Sequence, residues 1–240
     1  MSVIASLLVI STTIILVGSG PASATVVGST HDFSLPTGGS LVFQSTNETQ
    51  VCIFCHTPHG GVAIDPAGTT VRLPLWNRTL NYSSSFTMYD SQTFDGKSTY
   101  INGKPTGMSL MCLSCHDGVT AINSVINYSP TGPILMPASS SSIGQHTYPS
   151  YSDPNIGRDL SNDHPVSFLY DTNLVTADTT TRGRVGLNDP STISPLILYG
   201  GRLECSTCHD PHEYGSTTNM APYLRMTNSG SQMCLTCHIM

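Results

Sequence analysis

The sequence predicts a mostly irregular chain with short helices and few short strands, organised around something other than a large side-chain core. Three observations predict it. The 240 residues include 21 Gly and 16 Pro, which interrupt most windows long enough for a regular element. Only one Trp and six Phe are present, too little aromatic surface to offset the ordering entropy of such a chain. All eight Cys fall in four Cys-x-x-Cys pairs, and each pair is followed directly by His.

The four motifs are Cys52-Ile53-Phe54-Cys55-His56, Cys112-Leu113-Ser114-Cys115-His116, Cys205-Ser206-Thr207-Cys208-His209 and Cys234-Leu235-Thr236-Cys237-His238. Cys-x-x-Cys-His is the attachment signal for c-type haem. Two thiols at this spacing form thioethers with two vinyl groups on one edge of the macrocycle, and the adjacent His reaches the iron from one face. Four disulfides, or zinc held by pairs of motifs, would use the same cysteines. Neither requires a His after every pair. With nine His in the chain, four such placements by chance come to roughly two in a million. The fold class is therefore a multihaem cytochrome c: irregular coil with short helices and few short strands, packed around four haem c groups. His56, His116, His209 and His238 are the proximal iron ligands.

Before the motifs, an apolar stretch from Val3 to Val17 leads to Ala22-Ser23-Ala24, a small-x-small cleavage site. Residues 1–24 read as an export signal, although no Lys or Arg precedes the apolar run. The stretch is short for a membrane span, which needs about 20 apolar residues. No membrane span is expected in the mature chain, which would then hold about 54 residues per haem. The net charge is −6 and Lys occurs only at 97 and 104, so no basic stripe marks a nucleic-acid partner.

Five His remain for the second axial positions: His31, His59, His146, His164 and His212. Four positions need filling, so a full bis-His set is available with one to spare. His146, in a Ser-rich loop, is the weakest of the five. His59 and His212 each follow a proximal His by three residues, in His56-Thr57-Pro58-His59 and His209-Asp210-Pro211-His212. Three extended residues reach about 10 Å, too short to pass round the edge of a macrocycle. Neither can ligate the haem of its own motif, so each is expected on a neighbouring one, which would force haems together. Met108, Met111, Met220, Met226 and Met233 lie near the motifs and are expected to pack against them rather than ligate.

The motifs divide the chain into residues 25–150, with haems 1 and 2, and 151–240, with haems 3 and 4 and a doubled motif over 203–238. The echo between Cys55-His56-Thr57-Pro58-His59 and Cys208-His209-Asp210-Pro211-His212 suggests related halves. Helical turns are expected over Leu110 to Cys115 and Met233 to His238. Extended segments are expected over Ala121 to Tyr128, Val166 to Tyr170 and Leu196 to Tyr199. Asn47, Asn77, Asn81 and Asn127 head glycosylation-type triplets, a hint of surface exposure. Trp76 and Arg78 are open both to packing on a haem and its propionates and to ordinary core and surface roles.

A longer set of landmarks carries a resemblance. It comprises Thr30-His31-Asp32-Phe33-Ser34, the first motif extended to Gly60, Pro74-Leu75-Trp76-Asn77-Arg78, and the second motif with Asp117-Gly118. Asp159 to Phe168 and the last two motifs complete it. In order and spacing, from residue 31 to 238, these resemble the doubled Cys-x-x-Cys-His multihaem cytochromes, and most closely the extracellular tetrahaem cytochromes of the OmcE type. The resemblance implies bis-His haems and a largely irregular backbone. It also implies, for some members, extracellular filaments in which a His of one subunit completes a haem of the next. By the same resemblance His31, His59, His164 and His212 form the distal set, and His146 is the spare. His31, close to the expected mature N-terminus, would be placed to reach a neighbouring copy.

Electron conduction in such a homopolymer is the leading function, with redox proteins or extracellular acceptors as further partners. A periplasmic or surface shuttle is the second. A haem enzyme is the third, and it would need an open iron or an unusual proximal Lys. No Cys-x-x-Cys-Lys is present, so an electron carrier is expected, not an enzyme.

Overall fold

Frequent Gly and Pro leave room only for short elements, and those that form have a local reason. The structure is a computed structural model. It describes residues 26–35, 43–69, 71–80, 85–137, 141–145, 153–213 and 223–239. The export signal, Asn81, His146 and Met220 lie outside the described residues.

The motifs sit on helical turns. Helix α1, Gly107–His116, carries the second motif, and Leu110, Met111 and Leu113 on it are buried. Later in the chain come α2 (Thr172–Arg182), α3 (Cys205–Cys208, the third motif) and α4 (Gln232–Cys237, the fourth motif). The first motif begins on a tighter turn, Val51–Phe54. Residues three apart on a helical turn share a face, so each thiol pair points to one side. Helix α2 was not expected, because five Thr and a Val lower its propensity. Its ends are nevertheless marked in the sequence. The Asp171 carboxylate accepts from the Leu174 N–H at 2.9 Å, and Gly183 closes the helix with φ at 68°.

Two small antiparallel pairs complete the regular structure among the described residues. Strand β1, Val62–Ile64, pairs with β2, Arg72–Trp76, with Val62 opposite Trp76. Strand β3, Phe168–Leu169, pairs with β4, Arg202–Leu203, with Phe168 opposite Leu203. The expected segment Val166 to Tyr170 thus contains a strand. Leu196 to Tyr199 does not form one. Gly200 and Gly201, with φ of 60° and 76°, turn the chain there, and pairing passes to β4. Ala121 to Tyr128 has one isolated bridge, from Val125 to Arg78. The Ala121 and Ile122 carbonyls accept from the Arg78 side chain instead of a partner strand.

The apolar interior is divided into three small clusters. Phe33, Phe54, Ile122 and Ile134 anchor one, with Cys55 and Cys115 against it. Val71, Leu73 and Met111 anchor the second, beside Trp76 and Met108. Phe168, Tyr170, Leu196 and Leu203 anchor the third, which includes Cys237 and receives Met226 and Met233. Phe94 and Tyr100 also pack on the third cluster, so a segment ahead of residue 150 contacts the C-terminal part.

Asn77 ties the first cluster together. It is fully buried, contrary to the surface exposure its Asn-x-Thr triplet hinted at. Its amide donates to Ile53 O at 2.7 Å and Asn127 O at 2.9 Å, its side-chain oxygen accepts from Asn127 N at 2.8 Å, and its backbone N–H donates to Cys55 O at 2.8 Å. Asn77→Ala would leave three buried backbone groups unmet. We expect a loss of about 3 kcal/mol or more in stability, read as a lower denaturant midpoint.

Candidate functional site

Each Cys-x-x-Cys turn releases its His into extended backbone or the end of a helix. His209 and His238 leave α3 and α4 with ψ of 144° and 136°, and each forms an isolated bridge, to Leu224 and Leu187. His56 bridges Trp76, and His116 ends α1. The rings are then oriented by main-chain carbonyls. His56 Nδ1 lies 2.8 Å from Pro74 O, and His116 Nδ1 lies 2.7 Å from Pro154 O. A carbonyl at Nδ1 fixes the proton there and leaves Nε2 as the ligating atom.

The distal candidates come to these rings from distant parts of the chain. His31 and His116 have ring centres 6.1 Å apart with planes at 84°. His56 and His212 are 6.1 Å apart at 15°, and His164 and His238 are 6.3 Å apart at 73°. With iron–nitrogen bonds of about 2 Å and each ring centre roughly 1 Å behind its nitrogen, two imidazoles on one iron have centres about 6 Å apart. Three pairs therefore stand at the spacing of axial ligands. His212, too close in sequence to ligate its own motif's haem, stands against the His of the first motif. The second nitrogen of a distal ring is also held in two cases: His164 Nδ1 lies 2.9 Å from Pro165 O, and His212 Nδ1 3.2 Å from Asp210 Oδ1.

Burial favours the neutral form, which a metal requires, at three of these rings. It pushes the His31 imidazole down to about 4, with the nearby His116 and His212 adding to the effect. Burial also lowers His116 and His238. His31 Nδ1 is buried without a hydrogen-bond partner. An unmet buried nitrogen costs roughly 1–3 kcal/mol, which suits a ring whose partner is a prosthetic group.

Two expected ligands are not brought to an axial partner. His59 is exposed, and no histidine ring among the described residues pairs with it. His209 is likewise exposed and without an imidazole opposite it among those residues. His31, one of the distal set among which a ligand in trans was expected, lies in its own chain against His116, with the Tyr223 ring centre 4.4 Å away.

Several of the thiols sit in apolar surroundings, whereas Cys52 and Cys234 are exposed. Burial pushes the Cys55 thiol up to about 12, with Cys115 and Cys52 adding to it, and burial also raises Cys115 and Cys237. Zinc needs thiolates, whereas a thioether carries no charge and is at ease there. No cysteine forms a disulfide, and among the described residues no cluster of three or more His, Cys, Asp or Glu gathers for a metal ion. A cavity of about 460 Å³ opens between the third and fourth motifs. Leu113, Leu160, His164, Cys205, His209 and His238 are among its walls. Its size and lining match a cofactor site. The Met side chains near the described motifs pack in the apolar clusters, as expected.

Two polar side chains have roles that the motif pattern did not assign. Arg78 is fully buried and bonds to main-chain carbonyls, so it is not turned toward propionates at the surface. Glu204 is fully buried beside Cys205, and Thr106, Ser109 and Ser167 donate to it. Burial pushes its carboxyl up to about 6, against the pull of those hydrogen bonds. It is therefore mostly ionised at neutral pH.

Thiol pairs on single turns and imidazoles at axial spacing fit a haem-binding electron-transfer cytochrome of the c type. Residues 200–239 match the family model described as the doubled CXXCH motif, which supports a multihaem c-type cytochrome. A search of curated proteins finds no match to the chain. Proteins with this motif are typically exported, and no helix among the described residues is long and apolar enough to cross a membrane. When bound, haem c supplies reversible one-electron chemistry. Here the paired thiols would anchor it and the paired imidazoles would hold its iron.

The ring angles give a spectroscopic expectation. Near-parallel imidazoles split the iron d orbitals most, and perpendicular ones least. Electron paramagnetic resonance of the oxidised protein is expected to show a rhombic low-spin signal from the His56–His212 site. The other two pairs are expected to give strongly anisotropic low-spin signals. His164→Ala should convert one of the latter to high spin and leave the rhombic signal unchanged.

Proposed function

We propose that the protein carries four bis-His haem c groups in close succession and conducts electrons as a subunit of an extracellular filament of the OmcE type. The observation that carries this reading is the His56–His212 pair at 6.1 Å. The segment His209-Asp210-Pro211-His212 then holds one iron at each end, which brings the first and third haems together. Contact between the Cys112 and Cys205 sulfurs links the second and third motifs in the same way. The cavity shared by the last two motifs extends the series to the fourth.

The filament reading rests on what the pairing leaves over. His209 lacks an axial partner among the described residues while His59 is exposed and without one. His59 of one copy completing the His209 haem of the next would satisfy both. This gives His59, rather than His31, the role in trans. Redox proteins or extracellular acceptors would exchange electrons at the filament ends and surface.

Intact mass of the native exported protein should exceed the mature chain by four haems. His59→Ala should keep all four, stop assembly and leave one haem high-spin or ligated by water. His146→Ala should assemble normally. If His146→Ala opens a haem while His59→Ala keeps all four low-spin, the fourth site is closed within one chain; native protein that stays monomeric would then leave the shuttle reading. Mature protein without added haem mass would overturn the cytochrome reading itself.

A further inference from the structure

Two fully buried charges lie where the haem motifs meet, and neither meets an opposite charge among the described residues. Arg78 donates from Nη2 to Ser114 O at 2.8 Å and Ala121 O at 2.6 Å, and from Nη1 to Ile122 O. Ser114 precedes Cys115, and the N–H of adjacent Asn77 bonds to Cys55 O at 2.8 Å. The cation thus stands at the junction of the first and second motifs. Glu204 accepts from Ser109 N at 3.2 Å, from the Thr106 and Ser167 hydroxyls at 2.9 Å each, and from the Ser109 hydroxyl. Ser109 lies one turn before Cys112, and its hydroxyl also accepts from Cys205 N at 3.0 Å. The anion thus stands at the junction of the second and third motifs.

Dipoles satisfy both charges without neutralising them. Buried charges are screened little by salt, so their fields reach neighbouring redox centres. We propose that Arg78 and Glu204 are potential-setting residues of opposite sign. Arg78 favours the reduced state at the Cys52/Cys55 and Cys112/Cys115 sites, and Glu204 disfavours it at the Cys112/Cys115 and Cys205/Cys208 sites. Together they make the potential fall from the first motif to the third. Each site gains one electron from an external one-electron donor and no proton is needed. The bias rests on the haem assignment above.

The magnitude is open to measurement. At an effective dielectric of about 20, a unit charge about 10 Å from a redox centre changes its reduced-to-oxidised ratio roughly tenfold or more. Glu204→Gln is nearly isosteric. The retained oxygen can keep Ser109 and Ser167, and the Thr106 hydroxyl can turn to accept from the new amide. In spectroelectrochemical titration of the haem-loaded protein, Glu204→Gln is expected to raise two potentials. The ratio at fixed potential should rise about tenfold, which is about 59 mV for one electron. Glu204→Asp keeps the charge and should leave the potentials within twofold, whereas a merely structural role would disturb both variants. Arg78→Gln should lower the potentials of the first two sites by a similar factor.

Intact mass of each variant reports its haem content, so loss of haem is told apart from unchanged potentials. If neither neutral variant loads its haems, infrared difference spectra of the unaltered protein with labelled glutamate decide. The chain has three glutamates, Glu48, Glu204 and Glu213, and Glu213 is exposed. A buried carboxylate band that moves on reduction, and that is missing from Glu204→Asp, supports the role; Glu48, also buried, would keep its band there. A loaded Glu204→Gln protein with unchanged or lowered potentials, or an infrared spectrum with no moving carboxylate band, overturns it.

Discussion

The fold brings three pairs of imidazoles to about 6 Å, the spacing at which two rings can share one iron. Each pair joins segments far apart in the chain: 31 to 116, 56 to 212, and 164 to 238. The spacing tolerates little error, since a ligating nitrogen must meet its metal at bonding distance. Everything nearby serves that tolerance. Thiol pairs ride on single turns, Pro carbonyls set ring tautomers, and short strands bring β2 under His56 through the Pro74 carbonyl. A chain tied at such points needs little regular structure between them.

The side-chain core alone would be a weak organiser. Its three clusters are small, and several of the largest fully buried side chains are polar: Arg78, Glu48, Glu204, Asn77 and Asp65. These make many bonds to main-chain groups of other segments. Asp65 accepts from Gly107 N at 2.9 Å and so fixes the start of α1. Buried polar groups of this kind add specificity more than stability. They place loops that no sheet or long helix would place.

Much of the site was legible in the residues, and less of the fold. The four motifs declare themselves because thioether chemistry dictates both spacing and neighbour. The turns of α1 and α4 follow from that spacing. The exclusion of His212 from its own motif follows from chain reach, and the structure sets that ring against His56. Helix α2 was hidden because its Thr-rich interior argues against helix, and only Asp171 and Gly183 at its ends argue for it. Leu196 to Tyr199 read as a strand because side-chain type outweighed the Gly pair that follows. His31 was assigned to the distal set by resemblance, and the buried Asp32 and Phe33 beside it accompany its placement against His116. Arg78 and Glu204 could not be placed, since no local pattern distinguishes a buried charge from a solvated one.

Those two charges show what a largely irregular backbone permits. In an ordinary interior, a lone Arg or Glu would be costly because apolar side chains cannot solvate it. Here the irregular backbone supplies unpaired carbonyls and hydroxyls in abundance: Ser114, Ala121 and Ile122 around the cation, and Thr106, Ser109 and Ser167 around the anion. The scarcity of helix and sheet is thus not only a deficit. It frees main-chain dipoles to stabilise fixed charges between motifs, where regular structure would have consumed them in its own hydrogen bonds. The low charge of the whole chain then matters in a second way: with few competing charges, a single buried one dominates the local field.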